Sequence, residues 1–165
     1  MNKVTTVLLL TGLALMPQVQ ANDSLNSLSL TYDVHARSQM SENDVKSFVY
    51  QWFAAFDHQL EPGYFLNRIS EQVEMQYPDF PIHSKQDFLR WYQGVTDNII
   101  WNGHTIKEII VTGDQISGWD ISYDVNWKAK SKDNQQYDVM VHQELKIIRV
   151  GDMLKLTKLD AKIIK

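Results

Sequence analysis

The spacing of apolar residues changes once along the chain, from a helical period to a strand period. Val45, Phe48, Val49, Trp52, Phe53 and Phe56 recur at i, i+3, i+4 and i+7, which predicts one helix with a single buried face. Ser41 suits its cap and Asp44 its positive end, and the pattern stops near Asp57-His58. Glu61-Pro62-Gly63 marks a turn, with proline placed to start a short second helix over Tyr64 to Ile69. Glu71 to Tyr77 reads as a short strand ended by Pro78 and Pro81. Ser84 repeats the cap pattern, and Phe88, Leu89, Tyr92 and Val95 give another amphipathic helix with Trp91 on its flank, fading near Asn98. The period then becomes two. Thr105 to Val111, Ile116 to Lys128, Tyr137 to Val150 and Met153 to Ile163 read as four antiparallel strands. Gly113-Asp114 and Gly151-Asp152 are expected as two-residue turns, and Ser131 to Gln136 as a looser one. Helices first and a long meander after them predict an α+β class, with N-terminal helices packed on the concave face of a strongly curved antiparallel sheet.

The first 21 residues read differently. Lys3 precedes an apolar stretch from Val4 to Met16, and Pro17-Gln18-Val19-Gln20-Ala21 offers small residues at the −3 and −1 positions of a cut before Asn22. That is the pattern of a cleavable signal peptide, and the apolar core falls short of the roughly 18 residues needed to span a bilayer. Residues 22–40 are polar and weakly patterned, an extended lead-in to a single domain over 41–165. The chain has no cysteine, so disulfides, thiolate chemistry and a lipid-modified cysteine at the cut are excluded. The expected address is periplasmic or secreted, with no membrane association after cleavage.

The chain carries 16 Lys+Arg against 20 Asp+Glu, a formal charge of −4, and has no basic run. Nucleic acid is therefore not an expected partner, since neutralising phosphates requires clustered Lys and Arg. No cofactor motif is present, and none is expected.

The order helix, short helix, short strand, helix, long hairpins resembles the nuclear transport factor 2-like superfamily, the cone fold shared with SnoaL-like cyclases and ketosteroid isomerases. Val73-Glu74-Met75-Gln76-Tyr77-Pro78, and Phe88-Leu89-Arg90-Trp91-Tyr92 with His104-Thr105-Ile106, add to the likeness, which covers about residues 42–163. The resemblance implies a cavity between the concave sheet face and the helices, and often a homodimer through the outer sheet face. Ile109, Val111, Ile116 and part of the third long strand are candidates for that outer surface. The superfamily hosts many functions, so the fold does not name one.

Hairpin register selects the residues that would line the cavity. A two-residue turn at Gly113-Asp114 puts Val111 opposite Ile116, Ile106 opposite Ile121 and His104 opposite Tyr123. Trp119, Ile121, Tyr123, Val125 and Trp127 share one face, which burial of apolar surface should turn inward, taking His104 with it. In the next hairpin a two- or four-residue loop at Asp133-Asn134 places His142 and Glu144 inward. A three- or five-residue loop buries Val139, Val141, Leu145 and Ile147 instead. The expectation adopted is His142 and Glu144 inside, because a bulge could satisfy both demands. The catalytic candidates are then His104, His142, Glu144 and Tyr123. Trp52, Phe56, Tyr77, Trp91, His104, Tyr123, Trp127 and His142 are the ligand-binding candidates. Two histidines and a glutamate also suggest zinc, but the spacing matches no compact motif, so no metal is expected. Asp57-His58 reads as surface chemistry at a helix end.

The favoured reading is a pocket that binds a small hydrophobic or aromatic molecule. The alternative is an isomerase, cyclase or dehydratase. In the ketosteroid isomerases a carboxylate base precedes the proline after the first strand. Here that position is Tyr77, which argues against that chemistry. The dehydratase branch uses histidines with tyrosines, a set that His104, His142, Tyr77 and Tyr123 resemble. A third reading is a non-catalytic dimerisation or interaction module.

Overall fold

The computed structural model describes residues 39–164. The expected signal peptide and the lead-in before Gln39 lie outside the described residues. Helix α1 (Glu42–Asp57) starts where the pattern predicts. Asp44 N–H donates to Ser41 Oγ at 3.3 Å, and Ser41 N–H donates back to Asp44 Oδ2 at 2.7 Å, a complete capping box. Its inner face buries Val45, Phe48, Val49, Trp52, Phe53, Ala55 and Phe56. The helix ends in a reversal through Gln59, whose φ is 48°. Helix α2 (Pro62–Leu66) follows, with proline at its start and Phe65 fully buried.

Strand β1 (Ile69–Tyr77) ends before Pro78, as expected, and is followed by a short strand β2 (Phe80–Ile82) that contains Pro81 and was not expected. The two form a hairpin with Gln76 opposite Pro81. β2 is an edge strand, and an edge tolerates a residue that has no N–H to donate. Helix α3 (Lys85–Asn98) is capped by Ser84, whose Oγ accepts from Asp87 N–H at 3.1 Å.

Strands β3 (Ile99–Asp114), β4 (Gly118–Ser131), β5 (Gln136–Val150) and β6 (Met153–Ile163) are the expected antiparallel meander. The sheet runs β2-β1-β6-β5-β4-β3, and the β1–β6 pair alone is parallel. The helices cover its concave side. Trp52, Phe65, Phe88, Tyr92, Tyr123, Ile147 and Leu156 are enclosed there, each such side chain contributing about 1.5–3 kcal/mol of burial.

The first long hairpin departs from the expected register. Gly118 faces Asp114, and the loop is Gln115-Ile116-Ser117. The Asp114 carboxylate accepts from Ile116 N–H and Ser117 N–H, both at 2.8 Å, so an aspartate-stabilised turn replaces the two-residue one. Val111 consequently faces Ile121, Ile106 faces Val125, and His104 faces Trp127 rather than Tyr123. His104 stays on the concave side because Trp127 and Tyr123 share a face. A bulge at Glu108, φ 46°, inserts one residue into β3 and lets Ile106 and Val111 both point inward. Val111 and Ile109 therefore pack against the core instead of the outer face, and Ile116 sits at the hairpin tip, 93% exposed.

Candidate active site

Asp57 is the last residue of α1, and His104 lies near the start of β3. Two contacts tie these segments together. Asn102 donates through Nδ2 to the Phe56 carbonyl at 3.1 Å, and Gln59 donates through Nε2 to the Ile99 carbonyl at 2.8 Å. With the segments so held, His104 Nδ1 lies 2.5 Å from Asp57 Oδ1, and His104 backbone N–H donates to Asp57 Oδ2 at 3.3 Å. An ionised carboxylate only accepts, so Nδ1 carries the proton. In the neutral imidazole that arrangement leaves the lone pair on Nε2. Nε2 makes no hydrogen bond among the described residues, where no enclosed polar side-chain atom lacks a partner. It is therefore not fully enclosed. The imidazole side chain is 12% exposed, and its ring sits 4.7 Å from Phe53 and 6.2 Å from Phe56.

Asp57 was read as surface chemistry, and this is corrected by its pairing. A carboxylate in the last turn of a helix faces the negative end of the helix dipole, which disfavours it by about 0.3–1 kcal/mol. Its position is thus poor for stability and apt for holding an imidazole. The sequence did contain a signal. Val49, Phe53 and Asp57 are spaced at i and i+4, so the acid continues the buried stripe.

Of the aromatic candidates Phe56 meets the imidazole, with Trp91 and then Tyr77 behind it, and Tyr123 lies behind Phe53. Trp91 meets Phe56 edge-on at 5.8 Å and stacks on Tyr77 at 4.3 Å, with an 11° interplanar angle. Tyr123 meets Phe53 edge-on at 5.7 Å, and its hydroxyl donates to Gln143 Oε1 at 2.8 Å. Burial raises the Tyr77 and Tyr123 phenols above their ordinary value, so both remain protonated donors. Trp127, opposite His104, is half-buried and stacks on Tyr137 at 5.2 Å. Trp52 is different: at 1% exposure it is enclosed by Phe48, Phe56, Phe65 and Phe88 and serves the core.

His142 and Glu144 are not in this group, a second correction. Lys130 pairs with Gln136, so residues 131–135 form a five-residue loop, with Asn134 at φ 67°. His142 then faces Asp124 and Glu144 faces Ser122 on the convex side. His142 Nδ1 lies 2.7 Å from Asp124 Oδ1, and Nε2 lies 3.9 Å from Glu144 Oε1. Hydrophobicity decides the register: Leu145 and Ile147 are buried in their place, with Val141 packed against the core. Gln143, which the sequence reading passed over, comes inside with them.

Among the described residues no three His, Asp or Glu side chains converge as metal ligands. A cleft of about 340 Å³ opens at the far end of the β3–β4 hairpin, against Met40, Glu42, Val111, Gln115 and Trp119. It contains none of the candidate residues, and the unpaired imidazole nitrogen, not cleft size, marks the site.

No protein-family model and no curated sequence matches the chain. Solved structures do. A protein with a cystatin-like fold from Caulobacter vibrioides is similar at TM-score 0.63 and 8% identity, over 73% of this chain and 87% of that one. A candidate scytalone dehydratase from Novosphingobium aromaticivorans DSM 12444 gives 0.64 at 11% identity, over 73% and 82%. The hexachlorocyclohexane dehydrochlorinase LinA-type3 from Novosphingobium barchaimii LL02 gives 0.62 at 11%, over 86% and 91%. At such identities the likeness is one of fold. Helices on the concave side of a curled six-stranded sheet, and these neighbours, give the chain a cystatin-like cone fold.

Proposed function

We propose that this protein is a lyase that removes a proton from carbon in a small cyclic molecule, with His104 as the general base. The observation that carries this reading is the Asp57–His104 pair at 2.5 Å, with Nε2 unpaired beside aromatic rings. Asp57 fixes the tautomer and orients the ring. It also stabilises the imidazolium that forms when Nε2 takes the proton. In an elimination the C–H electrons become the new C=C bond, and the leaving group departs with its own bonding pair. Two fold neighbours carry names of this reaction class, a dehydratase and a dehydrochlorinase, which supports the choice of elimination over other proton transfers.

The ligand-binding reading uses the same aromatic surroundings, and the dyad moves the balance towards catalysis. His142 has no part in it. The leader pattern at residues 1–21 supports an envelope or extracellular location for this activity. Because the leaving group is unidentified, the test isolates the first step: hydrogen exchange at the acidic carbon of 2-tetralone in D2O, which His104→Ala should abolish.

A further inference from the structure

Helix α1 ends in a complete reversal motif with one residue out of place. The N–H of Leu60 donates to the Ala55 carbonyl at 2.9 Å, and the N–H of Gln59 to the Phe56 carbonyl at 3.0 Å. These are the two bonds that close a helix through a left-handed residue. Gln59 is that residue, with φ 48°. Glycine is the usual occupant and asparagine the next, because a Cβ crowds the backbone in this conformation. Among the described residues, four of the other five positive-φ positions follow that rule: Gly113, Gly118, Gly151 and Asn134. The fifth, Glu108, belongs to the β3 bulge.

The turn itself gives no reason for a glutamine, and the side chain supplies one from further away. Its Nε2 donates to the Ile99 carbonyl, 40 residues along the chain, at 2.8 Å. Ile99 opens β3, and the pairing of β3 with β4 shifts between Ile99 and Trp101. The contact therefore fixes the strand where its own ladder is irregular. Glycine has no side chain to make it, and asparagine is one methylene shorter. Three more bonds grip the same reversal. Buried Asn102 donates to the Phe56 carbonyl at 3.1 Å, the Tyr92 hydroxyl donates to the Leu60 carbonyl at 2.6 Å, and Asp57 holds His104 between them. Of these residues only Gln59 has a left-handed backbone. Such strain persists where the surroundings impose it, and it gathers at functional sites.

We propose that Gln59 is a positioning residue for the base: its amide clamps the end of α1 to the start of β3 and so keeps the Asp57 carboxylate on His104 Nδ1. This rests on reading that pair as the general base. Gln59 acts through Asp57, so it sets the tautomer and orientation of the imidazole and takes no part in the proton transfer.

Gln59→Gly separates position from stability. It relieves the left-handed residue and removes the clamp, two effects of opposite sign on folding, so the urea midpoint should change little. The nitrogen-15 spectrum of His104 should change, from one Nδ1-protonated tautomer in the wild type to a mixture. Gln59→Lys, a donor on a chain long enough to reach the same carbonyl, should keep the single tautomer. In 2-tetralone exchange Gln59→Gly should lose about ten- to a hundredfold of the wild-type acceleration, and Gln59→Lys much less. A single tautomer in Gln59→Gly, an equal mixture in Gln59→Lys, or a midpoint that falls sharply in Gln59→Gly would each overturn the proposal. If the wild type leaves 2-tetralone unchanged while the tautomer contrast holds, the base fails and the clamp stands.

Discussion

Asp57 and His104 are 47 residues apart in sequence, yet their carboxylate and imidazole meet at 2.5 Å where α1 ends against β3. The carboxylate also takes the backbone N–H of the same histidine, so it grips both ends of one residue. A charge so placed opposes the helix dipole, which makes the contact informative about function rather than stability.

Replacing the carboxylate should therefore separate folding from chemistry. Asp57→Asn is expected to leave the unfolding free energy from urea titration within about 0.5 kcal/mol of wild type, or to raise it slightly. Nitrogen-15 spectra of the imidazole should show His104 protonated on Nδ1 in the wild type and a mixture of tautomers in Asp57→Ala. A mixture already present in the wild type would remove the oriented base.

His142 supplies the control. It pairs with Asp124 on the convex side and its side chain is 35% exposed, so His142→Ala should cost about 0–1 kcal/mol of stability and leave any proton exchange unchanged. An effect on exchange comparable to that of His104→Ala would place chemistry on the wrong side of the sheet.

The Asp114 turn gives a pH-dependent prediction. Hydrogen bonds from the Ser117 and Ile116 backbone and the Ser117 hydroxyl hold its carboxyl below the ordinary 3.8. A depressed acid contributes stability above its unfolded value, and that contribution is lost as the pH falls through the folded value. Asp114→Asn can still accept these bonds, so the difference in urea midpoint between wild type and variant should narrow on acidification from pH 5 to pH 2. A difference independent of pH would show that charge plays no part in the turn.

That turn also shows how far the sequence could be read. The helix from Ser41 to Asp57, the cap at Ser84 and the Val150–Met153 turn were legible because each depends on local chemistry. The register of β3 on β4 was not. It depends on an aspartate side chain closing a three-residue loop and on a bulge at Glu108, neither of which leaves a periodic trace. The two errors cancelled at His104, which stayed inside. At His142 the more apolar alternate residues, Leu145 and Ile147, won the buried face, as burial energy alone predicts. Asp57 was passed over because polar residues at helix ends are ordinarily solvated, and its partner lies far along the chain.

Core and edge should respond differently to the loss of a tryptophan. Trp52, enclosed by four aromatic rings, should lose about 3–5 kcal/mol on mutation to alanine. Trp101, 56% exposed on the edge strand, should lose far less than that on the same change. Chemical denaturation of the two variants reads the contrast, and similar losses would contradict the assignment of Trp52 to the core.

The central claim is that His104 removes a proton from carbon, and hydrogen exchange of 2-tetralone in D2O followed by NMR tests it most directly. Wild-type protein should accelerate exchange above buffer, and a positioned general base contributes about 10²–10⁴-fold. His104→Ala should bring the rate back to buffer, Asp57→Asn should lose much of the acceleration, and His142→Ala should retain all of it. Wild-type exchange no faster than buffer, or acceleration that survives in His104→Ala, would contradict the account.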